Sequence, residues 1–86
     1  MDIHEMSFDI NGKSISPVTA VAFFNTGVTY ENLGYPDYAV NAYTEAIRLN
    51  PQDPLSYQYR GDAYKALGKS TEAEADYAKA RELRGK

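Results

Sequence analysis

The chain contains no cysteine, no tryptophan and a single histidine, His4. Without cysteine there is neither a disulfide framework nor a thiolate metal site to supplement a small core. One histidine near a terminus cannot assemble a metal cluster within a chain or serve a catalytic triad. Basic residues are scattered: nine Lys and Arg stand against twelve Asp and Glu, for a net charge of −3. That balance argues against nucleic acid, whose recognition rests on clustered Lys and Arg. No stretch approaches the ~18 apolar residues of a membrane span, so no membrane partner is expected. The opening Met1-Asp2-Ile3-His4-Glu5 is acidic and lacks the basic and apolar regions of a signal peptide. These absences suit a soluble, cytoplasmic domain. No nucleophile–base pair and no phosphate loop occur, so no enzyme activity, cofactor or metal is expected.

What the chain does have is self-similarity. Compared with the residue 34 positions later, Gly27 matches Gly61, Tyr30 matches Tyr64, and Leu33-Gly34 matches Leu67-Gly68. Ala39, Tyr43, Ala46 and Leu49 likewise match Ala73, Tyr77, Ala80 and Leu83, making eight identities in 33 ungapped pairs. Almost all are small or large apolar residues. The 86 residues divide into a leader, 1–19, and two units, 20–53 and 54–86.

Each unit reads as two helices. Pro17 or Val18 opens a segment running to Leu33, and Gly34 supplies its stop. Its many β-branched residues favour a strand on propensity alone, but the repeat register favours a helix. The second helix opens near Pro36-Asp37, carries Ala39, Ala42, Tyr43, Ala46 and Ile47 at helical spacing, and ends at Asn50-Pro51. In the second unit Pro54 starts a helix running to Leu67 that Gly68 closes. Ser70 or Thr71 is expected to cap the last helix. The acidic residues Glu72, Glu74 and Asp76 beside Lys79, Arg81 and Arg84 read as a solvated helix face.

The spacing Phe23-x2-Thr26-Gly27-x2-Tyr30, followed by Ala39-x3-Tyr43, Ala46 and Pro51, resembles the tetratricopeptide repeat, whose period is 34. Tyr57-x2-Arg60-Gly61-x2-Tyr64, then Ala73-x3-Tyr77 and Ala80, is a second copy. The resemblance implies an all-α fold: two helix-turn-helix units stacked as a short right-handed solenoid. Thr26 and Arg60 depart from the usual leucine, and Gly85 stands in place of the closing proline. The resemblance also places Tyr30, Tyr43, Tyr64 and Tyr77 in the core and leaves Tyr35, Tyr38, Tyr57 and Tyr59 freer.

In that family the first helix of each unit lines a groove that receives an extended peptide or a partner's helix. By register the groove is lined here by Val21, Phe24, Asn25, Val28, Glu31, Leu55, Gln58, Tyr59, Asp62 and Lys65. Val21, Phe24 and Leu55 are equally readable as core beneath the leader. One subtype grips the C-terminal carboxylate of chaperone tails with Lys and Arg on successive first helices. Asn25 matches an asparagine of that clamp, but Leu55 and Tyr59 occupy the places of its lysine and arginine. Capture of chaperone tails is therefore not expected.

The leader has its own pattern. Asn11-Gly12 is a strong two-residue hairpin signal. A turn centred there sets Met6, Phe8, Ile10 and Ile15 on one face and Ser7, Asp9, Ser14 and Ser16 on the other. A small N-terminal β-hairpin is expected, and it needs something to pack against.

Charge and cover are uneven. Residues 1–53 carry two Lys or Arg against seven Asp or Glu, and residues 54–86 carry seven against five. Val40 and Ile47 become Glu74 and Arg81 in the second unit, as in a terminal cap, although Ala73, Tyr77 and Ala80 remain as an apolar strip. About three units are usual for stability, and two are present. The leader, a second chain or a partner peptide must supply the missing layer; a homodimer is favoured, since it would also support the hairpin. The expected function is a non-catalytic scaffold or adaptor binding a protein or peptide partner, or itself. The alternative is an accessory or regulatory part of an enzyme or sensor complex.

Overall fold

A computed structural model describes residues 17–85 as four consecutive helices: α1 (Pro17–Leu33), α2 (Pro36–Leu49), α3 (Pro54–Ala66) and α4 (Ser70–Arg84). The hairpin expected about Asn11-Gly12 lies outside the described residues. α1 packs on α2, α3 on α4, and α2 on α3, while α1 touches α3 along a short edge. Each helix thus lies against its neighbours in sequence, the arrangement of a stacked helical-repeat solenoid.

Local chemistry sets the boundaries. Proline opens α1, α2 and α3, where its missing N–H would have had no helical partner and its fixed φ already suits the helix. Asp53 caps α3: its carboxylate accepts from the Leu55 backbone N–H at 3.1 Å and from the Ser56 hydroxyl at 3.1 Å. α4 differs from expectation. Lys69 occupies its cap position with no side-chain hydrogen bond, and Ser70 is already the first helical residue. Glu72 in the first turn and Arg81 and Arg84 in the last instead complement the helix dipole.

The two units end their first helices identically. Gly34 and Gly68 hold φ of 86° and 77°. The following residues donate back five positions, Tyr35 N–H to Tyr30 C=O and Lys69 N–H to Tyr64 C=O, both at 2.9 Å. This is a Schellman closure, which needs the left-handed conformation that glycine adopts without steric cost.

α1 is helical despite its β-branched content, and two of its threonine hydroxyls find acceptors on the preceding turn. Thr26 donates to the Ala22 carbonyl at 2.9 Å and Thr29 to the Asn25 carbonyl at 3.0 Å. Packing supplies the rest. The core centres on Ala39, Tyr43 and Ala63, all fully buried, with Phe24, Val28, Tyr30, Val40 and Tyr59 packed around them.

Two close approaches fix how the helices of each unit meet. A Cβ on Gly27 would fall inside the van der Waals envelope of the Tyr43 ring, and one on Gly61 would lie 2.7 Å from Tyr77 Cε1. Each tyrosine of a second helix therefore lies flat over a glycine of the first. Around Gly34, by contrast, a Cβ would meet nothing within 4 Å.

Gly27→Ala and Gly34→Ala should destabilise by different routes. The first overpacks a buried ring and costs about 1–3 kcal/mol; the second strains only the backbone and costs about 1–2 kcal/mol. Urea denaturation measures both losses. Near-ultraviolet tyrosine dichroism separates them, since only Gly27→Ala should alter the environment of Tyr43.

Candidate functional site

The ten residues expected to line a groove fall into three groups. Val21 and Leu55 are 55% and 47% exposed, and Asn25 and Lys65 are also exposed. Phe24, Val28 and Tyr59 are half-buried and packed on the core. The Phe24 ring lies 5.0 Å from Tyr59 and 5.6 Å from Tyr43, and the Tyr43 and Tyr59 rings are 6.0 Å apart. Rings from α1, α2 and α3 thus form one cluster with the tilted and edge-on geometries that aromatic quadrupoles favour.

Glu31, Gln58 and Asp62 make up the third group, each engaged within the chain. The Tyr43 hydroxyl donates to Glu31 Oε1 at 2.6 Å, and the Tyr77 hydroxyl donates to Asp62 Oδ1 at 2.6 Å. Arg84 donates to Gln58 Oε1 at 3.2 Å. Burial, followed by the bond to Glu31, raises the Tyr43 phenol well above its ordinary pKa. The bond to Asp62 is the main reason that Tyr77 is pushed up to about 12.

Family models described as tetratricopeptide repeat match residues 20–53 and 42–75. The chain belongs to the tetratricopeptide repeat family. The first match spans α1 and α2, and the second runs from α2 through α3 into α4, across the junction between the units. A stretch of 49 residues, 57% of this chain, is 49% identical to Hsp70-Hsp90 organizing protein 2 of Arabidopsis thaliana. The chain covers 8% of that relative's length.

A functional reading from the tetratricopeptide repeat register alone misses what Arg60 does. Arg60 forms a two-pronged pair with Asp76, both N–H···O contacts being 2.8 Å, and the side chains are 19% and 6% exposed. Its third contact is to the Thr44 hydroxyl at 3.1 Å, so one guanidinium joins α2, α3 and α4. It also lies 5.9 Å from the Tyr57 ring centre and 5.6 Å from that of Tyr64. The hydrogen bonds that Arg60 donates to Asp76 raise its pKa against the opposing effect of burial.

Three expectations for the second unit therefore change. Asp76 is buried rather than part of a solvated face, because Arg60 compensates its charge. Tyr57 is buried rather than free, with its hydroxyl donating to the Pro51 carbonyl at 3.1 Å. Ala73 and Ala80 are buried and offer no strip, whereas Glu74 and Arg81 are exposed. The signal was available in the repeat itself: Thr26 and Ala42 become Arg60 and Asp76, two opposite charges appearing together. Among the described residues no group of His, Cys, Asp and Glu is placed to hold a metal ion, and no helix is long and apolar enough to cross a membrane.

Asp76→Ala should cost about 3 kcal/mol by leaving Arg60 unpaired in a largely buried place. The double variant Arg60→Thr/Asp76→Ala, which restores the residues of the first unit, should cost less than the sum of the single changes. A double-mutant cycle by urea denaturation checks this.

The pH dependence has a definite sign. A raised phenol pKa means that the folded chain holds the Tyr77 proton more tightly than the unfolded chain does. The contribution is complete below pH ~10, where an unfolded tyrosine is still protonated, and is lost as pH rises through about 12. Asp62→Asn should lower the Tyr77 midpoint towards the ordinary value, as read from the tyrosine ring-carbon shifts by NMR.

Proposed function

We propose that this chain is a non-catalytic adaptor module that binds a peptide or helix of a partner protein across the shared face of α1 and α3. The observation that carries the reading is the pair of exposed aliphatic side chains, Val21 and Leu55, flanking the half-buried Phe24 and Tyr59. Two large apolar groups at matching positions of successive first helices are the kind of anchor that a docking segment covers. Asn25 and Lys65, both exposed, add polar groups able to bond a backbone. The relative's printed name, an organizing protein for Hsp70 and Hsp90, also supports an adaptor role. The proposal stops short of chaperone tails, because Leu55 and Tyr59 stand where the carboxylate-gripping cations would be needed.

Self-association, as a homodimer that would also support the expected N-terminal hairpin, is the form of this reading that the sequence favours, in a cytoplasmic setting. Sedimentation velocity tests it: a monomer at high micromolar concentration with full helicity removes the homodimer and leaves the partner.

Phe24 and Tyr59 pack on the core, so substituting them confounds binding with stability. Val21→Glu/Leu55→Glu is the cleaner probe. It should leave the melting temperature within a few degrees, since both positions are exposed, and abolish retention of a partner that the unchanged chain captures from native lysate. Equal retention by the two chains would show that the α1–α3 face is not the binding surface. Enzyme activity that co-purifies with the captured partner would favour an accessory-subunit role.

A further inference from the structure

The first unit carries a pocket of about 320 Å³ lined by residues including Phe23, Thr26, Tyr30, Tyr38, Ala42 and Glu45. It lies along a different stripe of α1 from Phe24 and Val28, so it extends beyond the face assigned above. We propose that this pocket is a binding site for an arginine side chain of a basic partner segment.

The second unit shows what such a place accommodates. Thirty-four residues on, Phe23, Thr26, Tyr30 and Ala42 become Tyr57, Arg60, Tyr64 and Asp76. There the Arg60 guanidinium lies 5.9 and 5.6 Å from the two ring centres and is clamped by Asp76 at 2.8 Å. The first unit keeps both aromatic walls, as Phe23 and Tyr30, and replaces the guanidinium and its carboxylate by the small residues Thr26 and Ala42. Thr26 does not fill the space, since its hydroxyl is turned back to the Ala22 carbonyl.

Two further side chains fit the pocket for a cation. The Tyr38 ring stands 5.2 Å from Tyr30, tilted by 53°, and adds a third aromatic wall. Glu45, one turn beyond Ala42 on α2, brings a carboxylate to the lining. Its present partner is Arg48, at 2.9 Å in an exposed pair three residues apart, which an incoming guanidinium can displace. The surroundings favour the same sign: residues 17–53 hold Glu31, Asp37, Glu45 and Asp53 against Arg48 alone. Arginine fits better than lysine because its planar group stacks on rings while bonding a carboxylate with two parallel donors.

The test uses the full chain labelled with nitrogen-15, titrated with acetyl-arginine methylamide and with its neutral isostere, acetyl-citrulline methylamide. The arginine probe should shift the amides of Thr26, Tyr30, Ala42 and Glu45 saturably, and the citrulline probe should bind at least ~10-fold more weakly. Tyr38→Ala and Glu45→Gln should each weaken arginine binding roughly three- to tenfold; Tyr38 and the Glu45 carboxylate are at the surface, so both variants keep the fold. Thr26→Arg supplies the guanidinium in cis and should remove the response.

Equal binding of the two probes, or binding unchanged by both surface variants, overturns the proposal. So do shifts confined to the Val21 and Leu55 face. Pocket amides that move with protein concentration alone would assign the site to a second copy. Pocket amides that move on Lys13→Gln without probe would assign it to the chain's own N-terminal segment. Either result overturns an arginine-bearing partner as the occupant.

Discussion

The rest of the structure depends on a tyrosine ring lying directly over a glycine, once in each unit. Gly27 beneath Tyr43 and Gly61 beneath Tyr77 set the distance between the helices of a pair, because no side chain can stand between them. That contact does more than fill space. It carries each phenol across to the first helix, where Glu31 or Asp62 accepts its proton at 2.6 Å. The acids come from non-equivalent positions, since Asp62 stands at the place of Val28 and Glu31 at that of Lys65. The ring position is thus common to both units, and each recruits a carboxylate within reach of the hydroxyl.

The consequence for the α1–α3 face follows from the same contact. Drawing Tyr43 fully into the core brings the half-buried Phe24 and Tyr59 against it, so these rings hold three helices together. Glu31 and Asp62, which by register would face a ligand, already accept bonds from the tyrosines. The part of the proposed face left exposed narrows to Val21, Asn25, Leu55 and Lys65, for which no side-chain hydrogen bond is made among the described residues.

The helices were legible in the sequence because the signals were local and repeated: proline at three openings, glycine at two closures, and small and aromatic residues at the same spacing twice. The register even outweighed the strand propensity of α1, whose threonines satisfy their hydroxyls on the preceding turn. What was not legible depended on side chains meeting across separate elements rather than along one helix. Asp76 sits among charged residues along α4, and its sequence neighbours gave no sign that Arg60, sixteen residues earlier, would bury it. Tyr57 was misread for the same reason, since its hydroxyl partner is a carbonyl in the loop before α3.

The two units also show how one repeat can serve different surroundings. Where the second unit meets α2, the place between the aromatic walls is occupied by Arg60, whose remaining donor reaches Thr44 and ties the junction together. A buried ion pair is a poor source of net stability compared with apolar packing. It is, however, directional, and a guanidinium that must reach Asp76 and Thr44 at once permits fewer ways of stacking α3 against α2 than leucine would. The first unit has no described helix on that side, and there the same walls surround Thr26 and Ala42. A charge pair therefore stands at the junction made within the chain, while the equivalent position in the first unit keeps its aromatic walls and brings a carboxylate to their edge.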